Sequence, residues 1–194
     1  MNEATPIAAL ISGGGRTVLN LADEIDAGTL PVRITTVIAH RESVAGVERC
    51  RDRGLPTTVI PTDPRETLDD RLDAALEASG AELVCLCGYL RHFRVGDRWS
   101  GRTINIHPAL LPAFGGKGMY GANVHRAVLE SGTGESGCTV HYVDEHYDHG
   151  PTILQKRCAV APTDDPDTLA ARVFELECEA FPEALRHIVG AGRP

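Results

Sequence analysis

The chain has no run of basic residues, no Cys-x-x-Cys pair and no apolar stretch near the ~18 residues that a membrane span requires. Each absence excludes something. With 19 Lys and Arg against 27 Asp and Glu, the net charge is −8 and no basic arm offsets it. Nucleic acid is therefore not the expected partner. Small anionic molecules stay admissible, because they need only a local cluster of donors. Residues 1–6 lack the basic start and apolar centre of a secretory leader, so the expected location is cytoplasmic, with no membrane association. The six cysteines, Cys50, Cys85, Cys87, Cys138, Cys158 and Cys178, are scattered. In a reducing compartment that spacing reads as core thiols, and Cys85 and Cys87 fall on one face of an apolar strand.

What is present is a regular alternation. A length of 194 residues with 42% hydrophobic and 24% charged residues fits one globular domain, residues 1–194, with a substantial core. Strands are expected at 6–11, 32–39, 57–60, 82–87, 102–106, 137–143 and 151–160. Helices are expected at 17–27, 43–53, 64–79, 122–131 and 167–189, with Pro182 a possible kink in the last. Ser43 reads as the N-cap of the second helix and Gly54 as its stop. Asp63 reads as the N-cap of the third, with Pro64 at its first position. The run at 82–87 is apolar except for Glu82 at its edge, as in a central parallel strand buried on both faces. The fold expected is α/β: a single-domain, Rossmann-like, mostly parallel sheet with helices on both faces and an antiparallel portion in the C-terminal half.

The chemistry-bearing residues cluster at predicted strand ends. In Asn105-Ile106-His107-Pro108, alternation along a strand sends Asn105 and His107 to one face, and Pro108 ends the strand. Open α/β sheets put their sites at such ends. About forty residues later an acidic stretch ends in Asp148. An amide for an oxyanion, an imidazole and a carboxylate are the parts for acyl transfer. Ser12-Gly13-Gly14-Gly15-Arg16-Thr17 joins the first strand to the first helix. There the backbone can approach an anion at a helix N-terminus, with Arg16 and Thr17 adding donors. Val18 departs from the G-x-G-x-x-G pattern, and the P-loop Gly-Lys pair is missing. Residues 88–93, with Tyr89 and Arg91, can line a pocket for a flat ring. His141, His146 and His149 crowd one segment and raise a rival reading, a metal-dependent hydrolase. Their spacing fits no standard ligand pattern, and no metal is expected.

Ser-Gly-Gly-Gly after the first strand, Cys-Gly-Tyr-Leu-Arg, Asn-Ile-His-Pro-Ala-Leu-Leu-Pro-Ala-Phe, Val-His-Tyr-Val-Asp-Glu-x-x-Asp-x-Gly-Pro-x-Ile-x-Gln and Arg172…Glu177…Phe181-Pro182 follow one another along nearly the whole chain. In these segments it resembles the folate-dependent formyltransferases, above all those that formylate phosphoribosylglycinamide in purine synthesis. The resemblance implies transfer of a formyl group from 10-formyltetrahydrofolate to the amine of 5-phosphoribosylglycinamide, without a metal, by a monomer or homodimer. A sister enzyme with another amine acceptor is the alternative. By the same resemblance, Asn105, His107 and Asp148 are catalytic. Gly14, Gly15, Arg16 and Thr17 meet the substrate phosphate, and Glu177 meets its ribose. Arg65, Tyr89, Leu90, Arg91, His92, Phe93, Asn105, Val143 and Asp144 hold the folate. Asp148 is expected to keep His107 as an imidazolium with a raised pKa. Arg16-Thr17 replaces the family's usual Ser-Asn, the loop at 115–121 is longer than the familiar form, and His149 replaces a small residue.

Overall fold

The structure is a computed structural model describing residues 4–191. Among these residues the order is β1 (Thr5–Ile11), α1 (Arg16–Asp26), β2 (Val32–Ala39), α2 (Ala45–Asp52), β3 (Thr57–Val59), α3 (Leu68–Ala78) and β4 (Leu83–Leu86). Then come α4 (Gly96–Trp99), β5 (Thr103–His107), α5 (Ala122–Ser131), β6 (Glu135–Tyr142), β7 (Thr152–Ala159) and α6 (Pro166–Gly190). The seven strands form one sheet in the order β3-β2-β1-β4-β5-β6-β7. The first five are parallel; β6 runs antiparallel to β5, and β7 to β6. This is the expected mostly parallel sheet with its antiparallel C-terminal portion.

Alternation along β1 explains the layering. Ile7, Ala9 and Ile11 join the core beneath α1, α2 and α6, while Ala8 and Leu10 join the core beneath α3. A strand buried on both faces needs helices on both sides, and it reads as a continuous apolar run. Cys50, Cys85, Cys87 and Cys138 are buried, and all six cysteines are free thiols. Cys85 and Cys87 pack on one face, in the same cluster as Ile104 and Phe181.

Two helix starts differ from expectation. α2 begins at Ala45, so Ser43 does not cap it; Val44 stands at the cap with no side-chain bond. The cause is tertiary. Gly46 N–H donates to the Gly13 carbonyl at 3.1 Å, and a Cβ at Gly46 would lie 2.8 Å from that same oxygen. The helix starts where it can press against the glycine-rich turn. α3 begins at Leu68, after a short 3-10 turn at Arg65–Thr67, so Asp63 and Pro64 do not open it. Leu68, Leu72 and Leu76 form its buried stripe, and that packing sets its first turn. α6 is closed at its start by a capping box between Asp165 and Thr168, and it carries Pro182 within its 25 residues.

Candidate active site

The strand order reverses beside β1: the chain leaves it through α1 to β2 on one side, and β4 pairs on the other. Ligands of open α/β folds bind in such a crevice at the carboxyl ends of the strands. Here Ser12 ties its rims together. Its N–H donates to the Gly88 carbonyl at 3.1 Å, and its hydroxyl accepts from Leu90 N–H at 2.9 Å. The cavity above encloses about 740 Å³. Leu90, Tyr120 and Tyr147 are large apolar side chains left exposed among the described residues, and all three line it. Apolar surface kept bare around a cleft points to a ligand that covers it.

One end of the cleft is made for an anion. Gly15 takes φ 71° at the start of α1, a left-handed conformation that glycine adopts without strain. Residues 13–17, which include the first turn of α1 with its unpaired N–H groups, line the cleft here. The Arg16 guanidinium stacks over the Phe174 ring at 3.8 Å, which steadies a long side chain at the rim. Glu177, one turn further along α6, also lines the cleft. Burial raises its carboxyl to about 7, against the opposing charge of Arg16.

The other end carries a network of side chains. β5 ends at His107, as Pro108 requires, and Asn105 and His107 share a face. Asp148 reaches both: its Oδ1 is 3.4 Å from Asn105 Nδ2 and its Oδ2 is 3.4 Å from His107 Nδ1. The same Oδ2 accepts from Gly116 N–H at 2.9 Å. Asp148 sits at φ 54°, a backbone strain for a non-glycine residue that the surrounding bonds must hold. His107 Nε2–H donates to the Phe114 carbonyl at 2.8 Å. His141 completes the cluster. It stands opposite Asn105 in the β5–β6 register, its Nδ1–H donates to the Tyr142 carbonyl at 2.8 Å, and its Nε2 accepts from Asn105 Nδ2 at 3.2 Å. Both N–H groups of the Asn105 amide are thus engaged, by His141 and by Asp148.

The ionisation of His107 is opposite to expectation. It is 3% exposed, and burial lowers its pKa more than the carboxylate of Asp148 and the Phe114 carbonyl raise it. The ring is therefore neutral near pH 7, not held as an imidazolium. Burial also raises the Asp148 carboxyl. The neighbouring imidazoles of His141 and His107 and the Gly116 N–H together outweigh that, and its pKa ends below the ordinary value.

The cleft brings together Gly14, Gly15, Arg16, Thr17 and Glu177 with Tyr89, Leu90, Arg91, His92, Phe93, Val143, Asp144 and the Asn105, His107, Asp148 cluster. Arg65 is not among its lining residues; it pairs with Asp69 at 3.3 Å in the turn before α3. His141, expected only in the metal reading, belongs instead to the Asn105 and Asp148 network. His125, Phe174 and Tyr147 also line the cleft and were not foreseen. Strand alternation across β6 could have signalled His141. Nothing local marks Phe174, which meets Arg16 from a helix more than 150 residues away in sequence.

A sheet with this order, with an anion-binding turn and a buried amide, imidazole and carboxylate at one crevice, is an open α/β fold whose site has the groups for acid–base chemistry on an anionic ligand. The chain belongs to the formyl transferase family, which it matches over residues 5–185. It is 38% identical over 191 residues to the chloroplastic phosphoribosylglycinamide formyltransferase of Arabidopsis thaliana, covering 95% of this chain and 64% of that protein. It is 41% identical over 186 residues to the trifunctional purine biosynthetic protein adenosine-3 of Drosophila pseudoobscura pseudoobscura, covering 92% of this chain and 13% of that one. The chain therefore spans less than two thirds of the length of either protein. The crystal structure of glycinamide ribonucleotide transformylase 1 from Symbiobacterium toebii superposes with a TM-score of 0.91 at 35% identity, covering 100% of this chain and 91% of that one. Among the described residues, no helix is long and apolar enough to cross a membrane.

Proposed function

We propose that the protein transfers the formyl group of 10-formyltetrahydrofolate to the amine of 5-phosphoribosylglycinamide, in purine synthesis. The observation that carries this reading is the joining, in one cleft, of an anion-binding turn to the Asn105, His107, Asp148 and His141 network. The phosphate lies against residues 14–17 with Arg16 beside it, and the ribose hydroxyls against Glu177. The folate ring system lies along residues 89–93 and the backbone of 143–144. The exposed apolar side chains at the cleft support a flat-ring ligand, and the names of the relatives support the acceptor. Free thiols throughout the chain support a reducing, cytoplasmic location.

In this reaction the amine nitrogen attacks the formyl carbon, a C–N bond forms, and the formyl oxygen takes up the negative charge. Asn105 turns one N–H from Asp148 to that oxygen, while His141 retains the other and holds the amide plane. His107 exchanges its Phe114 partner for the same oxygen, so the 114–116 turn shifts as the intermediate forms. Donors fixed in a buried site stabilise charge more than they would in water. Asp148, unprotonated near neutral pH, takes a proton from the attacking nitrogen, directly or through water, and passes it to the folate nitrogen as the old C–N bond breaks. No bond forms between the formyl carbon and a residue of this chain.

The test is to mix the purified protein with 10-formyltetrahydrofolate, with and without the ribonucleotide, and to follow the folate absorbance. Deformylation that depends on the ribonucleotide is the expected result. Turnover without it would make the protein a hydrolase, and no turnover in either case would send the search to other amines.

A further inference from the structure

Three side chains outside the proton-transfer network converge on the loop between β6 and β7. Asp144 Oδ2 is 2.8 Å from His149 Nδ1, and Asp144 Oδ1 is 3.9 Å from His146 Nδ1. One ligand atom from each residue can be chosen so that all three lie within 4.8 Å of one another, and the two imidazole centroids are 5.4 Å apart. Ligands at ~2.1 Å around a tetrahedral ion stand roughly 3.4 Å apart. The separations of 2.8 and 3.9 Å, measured to the two oxygens of Asp144, lie on either side of that spacing. The backbone beneath is already ordered. Asp144 Oδ1 accepts His146 N–H at 2.8 Å, and Gly150 approaches so closely that a Cβ there would lie 2.0 Å from the Tyr142 carbonyl. The two histidine side chains are 78% and 73% exposed, which leaves them open to an ion from solvent.

We propose that Asp144, His146 and His149 form a binding site for a divalent transition metal such as Zn²⁺, and that its occupancy weakens binding of the folate donor. Two imidazoles and one carboxylate suit Zn²⁺, Cu²⁺ or Ni²⁺; Mg²⁺ and Ca²⁺ require oxygen ligands. The remaining coordination position faces solvent. Asp144 and His146 also line the cleft, so a metal that draws them together alters the wall against which the folate lies. That second half rests on the function proposed above; the binding itself does not.

Calorimetric titration of Zn²⁺ into the free protein, with neither substrate present, tests the site. We expect one saturable Zn²⁺ per chain, weakened at least about tenfold in both His146→Ala and His149→Ala, and no saturation by Mg²⁺. Circular dichroism and metal-free turnover of His149→Ala should match the parent protein, since its side chain meets solvent and does not line the cleft. Zn²⁺ affinity unchanged in the two variants, no saturable binding, or equal binding of Mg²⁺ would each overturn the site. For the coupling, saturating Zn²⁺ should raise the KM for the donor severalfold in the parent protein and leave it unchanged in His149→Ala. Bound metal with an unmoved KM would overturn the coupling alone. Failure of the titration would leave the formyl-transfer reading intact, and an enzyme without formyl transfer could still bind the metal.

Discussion

The two ends of the cleft are built from different parts of the chain. Where the parallel strand β1 ends, the cleft wall is mostly backbone: a glycine turn and the free N–H groups of α1, with Arg16 laid over Phe174 at the rim. Where the antiparallel pair β5 and β6 ends, the wall is side chains, and each is held by at least one other group: Asn105 by His141 and Asp148, His107 by Phe114, Asp148 by Gly116. A backbone site tolerates exchange of the side chains beside it. A network of buried side chains does not, because removing one member leaves the others unsatisfied.

Substitutions at either end test that contrast. Asp148→Asn keeps the shape but loses the proton acceptor, and we expect turnover to fall roughly 1000-fold while both ligands still bind. Rapid-quench turnover beside equilibrium binding would show it, and unimpaired turnover would remove Asp148 from the reaction. Asn105→Ala should cost about 100–1000-fold in kcat, with little change in KM, because the lost hydrogen bond matters only once the oxyanion forms. A loss confined to KM would place Asn105 in ground-state binding instead.

At the backbone end the effects should be smaller and of another kind. The Glu177 carboxyl is raised from 4.5 to about 7, first by burial. In the unfolded chain it ionises near its ordinary value, so between about 4.5 and 7 the folded protein holds a proton that the unfolded chain has released. Stability falls as pH rises through that window, and the whole penalty stands above it. Glu177→Gln removes the penalty. It should leave stability unchanged at pH 4 and add up to about 3 kcal/mol at pH 8, read from urea midpoints. An equal gain at both pH values would mean that titration is not the cause. Arg16→Ala should raise the ribonucleotide KM about tenfold, with the donor KM unmoved, as expected for one charge-assisted contact. Equal losses for both ligands would mean that the cleft itself had been disturbed.

Much of the fold was legible from local pattern. β2 and α5 fall on the residues that periodicity indicates, because each is bounded by its own stop signals and fills a single layer. The α2 and α3 starts were not legible, since Gly46 meets the Gly13 carbonyl and Leu68 meets the α3 core, contacts that no cap residue announces. The short α4 at Gly96–Trp99 has too few residues to show a period. In the site, spacing placed Asn105 and His107 together, and the family resemblance added Asp148. The direction of the His107 shift was missed because a neighbouring carboxylate can be read from a motif, whereas a ring 3% exposed cannot.

By itself, then, the order of residues determined which groups were available and which could share a face: an amide and an imidazole two residues apart on a strand, glycines before a helix, a parallel sheet from alternating elements. These are consequences of backbone geometry within a few residues. The tertiary structure decided how those groups behave. It set His141 against Asn105 across β5 and β6, turned Phe114 and Gly116 onto His107 and Asp148, and laid Arg16 on Phe174. It also buried His107 and drew Glu177 far enough out of water to make both harder to ionise. Solvation and hydrogen-bond partnership depend on everything within a few ångströms, and most of those neighbours lie far away along the chain.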